Sequence, residues 1–62
     1  MKAKELVWQL ERAGYREVRQ KGSHRRFECG GRDPLTVPWH SNGNIVLHPK
    51  IVKDCLKKAG LL

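Results

Sequence analysis

Apolar residues near the start of the chain recur three and four positions apart. Ala3, Leu6, Val7, Leu10 and Ala13 share one helical face, and Lys4, Glu5, Gln9, Glu11 and Arg12 mostly fill the other. The spacing predicts a helix over 4–13. Trp8 falls off the stripe, which leaves it half-exposed or along the sheet edge. Gly14 suits a left-handed cap, with Tyr15 as the hydrophobe that packs back on it. The C-terminal segment repeats the design. Pro49 fits a first helical turn, where its missing N–H costs nothing. Ile51, Val52, Cys55, Leu56 and Ala59 form the apolar face, and Gly60 closes it. Leu10-Glu11-Arg12-Ala13-Gly14-Tyr15 and Leu56-Lys57-Lys58-Ala59-Gly60-Leu61 share a way of ending a helix; they are too short for an internal repeat.

Between the helices the period changes to two. Extended runs are predicted at about 16–21, 24–29 and 35–39, with Val18 as the clearest inward residue of the first. In the third, Leu35, Val37 and Trp39 alternate with Thr36 and Pro38. Gly22-Ser23 makes a tight link, and Gly30-Gly31-Arg32-Asp33-Pro34 a looser turn. Pro38 cannot donate to a ladder, so the third strand lies at an edge or is bulged there. Ser41-Asn42-Gly43-Asn44 is a polar loop, and Ile45-Val46-Leu47 is an apolar run without a clear assignment. The fold class is α+β in the order α-β-β-β-α: a three-stranded antiparallel sheet with two helices on one face and the other face open to solvent. One domain spans residues 1–62, and at this length it buries only roughly 60% of its unfolded surface.

Charge adds a partner class. Thirteen Lys and Arg against six Asp and Glu give a net charge of +7. The resulting pI of about 10.0 points to a polyanion, either nucleic acid or an acidic protein. The N-terminus is charged from Lys2 onward and no apolar run reaches membrane length, so no leader or membrane partner is expected. Cys29 and Cys55 are far apart, match no metal spacing and read as free, core-facing thiols of a reducing cytoplasm.

Strand parity sorts the stretch Lys21-Gly22-Ser23-His24-Arg25-Arg26-Phe27. Phe27 points inward together with Arg25 and Cys29. His24, Arg26 and Glu28 point to the open face, as do Thr36 and Pro38. A symmetric hairpin centred near Arg32 pairs Phe27 with Val37 and His24 with His40, whose Cβ atoms then lie about 5 Å apart. A two-residue slip pairs His24 with Pro38 and leaves His40 beyond the strand. Periodicity leaves both registers open.

RNA carries its own nucleophile, the 2′-hydroxyl. Its cleavage needs an acid or base that works near neutrality and positive charge at the phosphate. His24, after a Gly22-Ser23 turn that lets a ligand approach the backbone, fits the first need. Lys21 and Arg26 fit the second, with Arg25 and Lys50 as outer contacts. No cofactor is required. The bland alternative for His24 is a solvated strand residue. A metal site on His24, His40 and His48 lacks a carboxylate or Cys at useful spacing to complete it. His48, just before Pro49, fits the start of the second helix. Trp8 and Trp39 are able to stack on bases, although Trp39 suits core packing better.

In this order and length, the helix ending Leu10 to Tyr15, Arg19-Gln20-Lys21-Gly22-Ser23-His24, Leu35-Thr36-Val37-Pro38-Trp39-His40, and His48-Pro49 opening a helix that ends Leu56 to Leu61 resemble the HicA toxin family. The resemblance covers nearly the whole chain. It implies a double-stranded-RNA-binding-domain-like fold, a metal-independent mRNA interferase activity with His24 as the catalytic histidine, and a HicB-type antitoxin partner that masks the toxin. The family's second common histidine maps to His40, with an open role as a second acid or base. Lys21, Gly22, Ser23, Arg25, Arg26 and Lys50 are the expected RNA contacts, and the free toxin is expected to be a monomer. The turn Cys29 to Pro34 is longer than the family pattern, which should alter the hairpin tip and leave the site intact. Two other classes fit the residues: a non-catalytic RNA-binding module, and a domain whose basic face meets an acidic protein.

Overall fold

The helical periodicities at the two ends become α1 (Ala3–Arg12) and α2 (Pro49–Lys58) in the computed structural model, which describes all 62 residues. Both helices close alike. Gly14 and Gly60 take positive φ, so the amide of Tyr15 donates to Leu10 C=O (3.0 Å) and that of Leu61 to Leu56 C=O (2.8 Å). At the start of α1, the Lys2 amide donates to the Glu5 carboxylate at 2.8 Å. α2 opens on Pro49, with His48 before it: the Lys50 amide donates to His48 Nδ1 at 3.0 Å. A side-chain acceptor there satisfies one of the orphan amides of the first turn.

Between the helices run β1 (Arg16–Lys21), β2 (His24–Glu28) and β3 (Leu35–Pro38), antiparallel and in the spatial order β1-β2-β3. The covered face of the sheet meets the helices through Phe27, Leu35 and Val37. These pack with Ala3, Leu6, Val7 and Leu10 of α1, and with Cys55 and Ala59 at the far end of α2. Phe27, Leu6, Leu10 and Val37 are the largest fully buried side chains. Each contributes about 1.5–3 kcal/mol by leaving water. Tyr15 is also buried, and its hydroxyl donates to the Asp33 carbonyl at 2.8 Å, which ties the β2–β3 turn to the end of α1. The run Ile45 to Leu47 crosses the start of the chain. The Ala3 amide donates to Ile45 C=O and the Leu47 amide to Met1 C=O, both at 2.9 Å, which buries Leu47 and leaves Val46 exposed. No helix is long and apolar enough to cross a membrane.

Val18 is not an inward residue. Arg16 pairs with Glu28 and Glu17 with Phe27, but Arg19 pairs with Arg26, so Val18 is an extra residue in a bulge and is 40% exposed. A bulge leaves one residue unpaired and shifts the alternation beyond it. β1 is also an edge strand, and all six of its residues are exposed. The bulge keeps Arg19 and Lys21 on the open face, where they oppose Arg26 and His24.

Candidate nucleic-acid interface

The site begins at the turn. Lys21 and His24 face each other across a two-residue link in which Gly22 holds φ +57 and Ser23 follows on the negative side. That is the pattern of a type II′ hairpin turn, where the first central position favours glycine. The Ser23 carbonyl accepts the Trp39 amide at 2.6 Å, so the end of β3 fixes the residue just before His24. The Trp39 ring is half-buried between the Arg25 guanidinium, 3.9 Å from its centroid, and Gly43.

On the open face these strands form a shallow basin of about 470 Å³ with no apolar side chain in its lining. β1 contributes Arg19 and Lys21, the turn Gly22 and Ser23, β2 His24 and Arg26, and β3 Thr36. His24 is exposed, so its imidazole is accessible from solvent. Arg26 makes a long contact with the Glu28 carboxylate at 3.7 Å, while Arg19 and Lys21 make no ion pair. No carboxylate lines the basin. It is a cationic surface built around one imidazole and two hydroxyl side chains. Such a surface can hold a phosphate and move a proton beside it.

Four of the residues expected at the site therefore lie together with His24: Lys21, Gly22, Ser23 and Arg26. The other three do not. Arg25 points to the covered face, opposite Val37, with Nη1 3.4 Å from Glu17 and its Nε buried without a partner. It supports Trp39 from within and does not reach the basin. Lys50 sits in the first turn of α2, outside the basin lining. His40 does not oppose His24. His24 pairs with Pro38 and Phe27 with Leu35, which is the slipped register, and β3 ends before His40. His40 instead precedes the short 3-10 turn Ser41–Gly43, and its carbonyl accepts the Gly43 amide at 2.9 Å. Two basin residues escaped the sequence analysis as contacts, Arg19 and Thr36. Arg19 lies on the same face as Lys21, two residues before it, and Thr36 sits opposite Arg26. No three His, Cys, Asp or Glu side chains cluster closely enough to hold a metal ion.

Comparison with known proteins agrees with this architecture. No curated protein matches the chain. A solved structure from Streptococcus pneumoniae, described as a toxin–antitoxin complex, contains a chain 34% identical to this one, with a TM-score of 0.79 and 98% of each chain covered. A family profile described as the HicA toxin of bacterial toxin–antitoxin systems matches residues 3–61. A match over nearly the full length, with the α-β-β-β-α order in place, assigns the chain to the HicA toxin family.

Proposed function

We propose that this toxin is an endoribonuclease that cleaves mRNA, with His24 as its acid–base group. The observation that carries the reading is the position of His24 in an open basin beside Arg19, Lys21 and Arg26. A neutral His24 takes the proton of a ribose 2′-hydroxyl as that oxygen attacks the adjacent phosphorus. The P–O5′ bond breaks, and the leaving oxygen takes a proton from the imidazolium or from water. The products are a 2′,3′-cyclic phosphate and a 5′-hydroxyl end. Proton transfer of this kind is worth about 10²–10⁴ in rate. The guanidiniums stabilise the charge that builds on the phosphate oxygens. Carboxylates are the usual protein ligands of Mg²⁺ and none lines the basin. The reading therefore gives charge neutralisation to the side-chain cations and is metal-independent.

The partner in this reading is a HicB-type antitoxin protein that masks the toxin. Induction of the toxin alone should arrest growth and degrade mRNA, and His24→Ala should abolish both. If the Ala variant cuts RNA in EDTA as fast as the parent, His24 does not have this role.

One observation favours a second reading, a non-catalytic RNA-binding module. His24 is the only imidazole in the basin, because His40 and His48 lie elsewhere. Clean parent protein that binds RNA with steep salt dependence and leaves it intact would select that reading.

A further inference from the structure

The open face does not end at the His24 basin. Parity and pairing place Arg16, Arg19 and Lys21 of β1 on it, with His24, Arg26 and Glu28 of β2. That is four cations and one carboxylate in two adjacent rows. At the end of the sheet away from the Gly22-Ser23 turn lies a second, separate basin of about 350 Å³, lined by Arg16, Glu28, Cys29, Gly30, Arg32 and Pro34. The Arg32 guanidinium rests against Gly60 at the end of α2. Arg16 opposes Glu28 across the ladder but makes no ion pair with it, since the Glu28 contact within range is Arg26 at 3.7 Å. Arg16 is thus an exposed, unpaired cation at the rim of a polar basin. About 15 Å of strand separates it from Lys21.

We propose that the second basin is a remote phosphate subsite for the RNA strand cut at His24, with Arg16 as its cation. This deepens the ribonuclease reading and rests on it. His24 stands at the turn end of β2, and the cationic rows extend from it in one direction only, along β1 and β2 toward Arg16. A bound strand follows them on one side of the scissile phosphate. Apart from the His24 imidazole the open face carries no aromatic side chain, so recognition along it relies on phosphate charge more than on base stacking. Glu28 lines the second basin opposite Arg16 and contacts Arg26 of the first. It opposes phosphate there, so its removal strengthens binding by any strand long enough to pass it.

The test uses the intact His24→Ala protein, so that binding is measured without cleavage, and single-stranded RNAs lengthened stepwise from either side of a fixed dinucleotide. Affinity should rise with extension on one side only. On the longest of these RNAs, Arg16→Ala should weaken binding about three- to fivefold and lower the slope of log affinity against log salt by about one. Arg16→Glu should weaken it further, while the dinucleotide notices neither Arg16 change; Glu28→Gln should strengthen binding of the longest RNA. Arg16 and Glu28 are exposed, and unchanged thermal melting shows that each variant folds. Equal gain from extension on both sides, or an Arg16→Ala variant with unchanged affinity and slope, overturns the subsite. Loss of the ribonuclease reading shows separately, as parent protein that never cleaves these RNAs.

Discussion

The main-chain amide of Trp39 donates to the carbonyl of Ser23 at 2.6 Å. His24 pairs with Pro38, which has no N–H to give, so the ladder loses its next donor there. Trp39 supplies the first available amide and fastens the end of β3 to the β1–β2 turn. The same residue places its ring under Arg25 and beside Gly43. The geometry of the candidate catalytic turn thus depends on a tryptophan that never enters the basin.

Gly43 makes this dependence measurable. It holds φ +84, and a Cβ added there would lie 2.5 Å from the Trp39 ring and 2.9 Å from Lys4 Cβ. Gly43→Ala combines a left-handed backbone penalty with overpacking, a cost of about 2–4 kcal/mol. Thermal melting should show the loss. The surviving folded protein should cut RNA more slowly, because Trp39 is displaced and Ser23 moves with it.

Gly22 gives the opposite case. Nothing lies within 4 Å of an added Cβ, so only its φ of +57 resists substitution. Asn tolerates that region far better than a β-branched residue. Gly22→Asn should lose less stability and activity than Gly22→Val. Gly22→Val should cost about 1–2 kcal/mol and reduce activity more than its melting temperature suggests, since the turn carries His24.

Arg19 and Arg25 should separate cleanly. Arg19 is exposed and lines the basin, so Arg19→Ala should leave the melting temperature within experimental scatter and lower both RNA affinity and the salt slope, the latter by about one. Arg25 is held by the Trp39 ring and by Glu17. Arg25→Ala should destabilise the protein by about 1–2 kcal/mol, through lost packing and cation–π contact. Its salt slope should stay that of the parent. Paired melting and salt-titration curves test both residues.

Tyr15 should report alkaline unfolding. Its phenol is pushed above the ordinary 10.0, first by burial and then by the nearby Cys29 thiol, while Arg32 pulls the other way. The native state therefore holds the proton to higher pH than the unfolded chain. That contribution to stability is complete below the unfolded value and is lost as pH rises through the native one. Burial raises the Cys55 thiol above its ordinary 9.0 in the same sense. Stability should decline from about pH 9 upward, and the tyrosinate absorbance of the single tyrosine should appear later than in urea. Tyr15→Phe removes the hydroxyl bond to Asp33. It should cost about 1 kcal/mol and speed amide exchange at residues 30–34, with catalysis unaffected.

Much of this was legible in the chain itself. The end helices follow from apolar residues at a 3.6 period and from two identical Ala-Gly endings. Strand parity alone separates inward Phe27 from outward His24 and Arg26, because alternation is a local property of extended backbone. The inward direction of Arg25 was equally readable, and only its chemistry suggested an RNA contact.

Register was not local. A slip of two residues preserves every inward and outward assignment, so periodicity cannot distinguish His24 opposite Pro38 from His24 opposite His40. The long Gly30-Gly31 turn and the packing of Phe27 against Leu35 decide it. The Val18 bulge is of the same kind: an extra residue in an edge strand costs the pattern nothing that composition reveals. Lys50 is basic and near the start of a helix, but its distance from the open face depends on how α2 docks. Local pattern is enough for the elements, for the faces of β2 and β3 and for the charge of the chain. Which side chains from β1, β2 and β3 meet around His24 follows from the fold, because it depends on contacts between residues far apart in the chain.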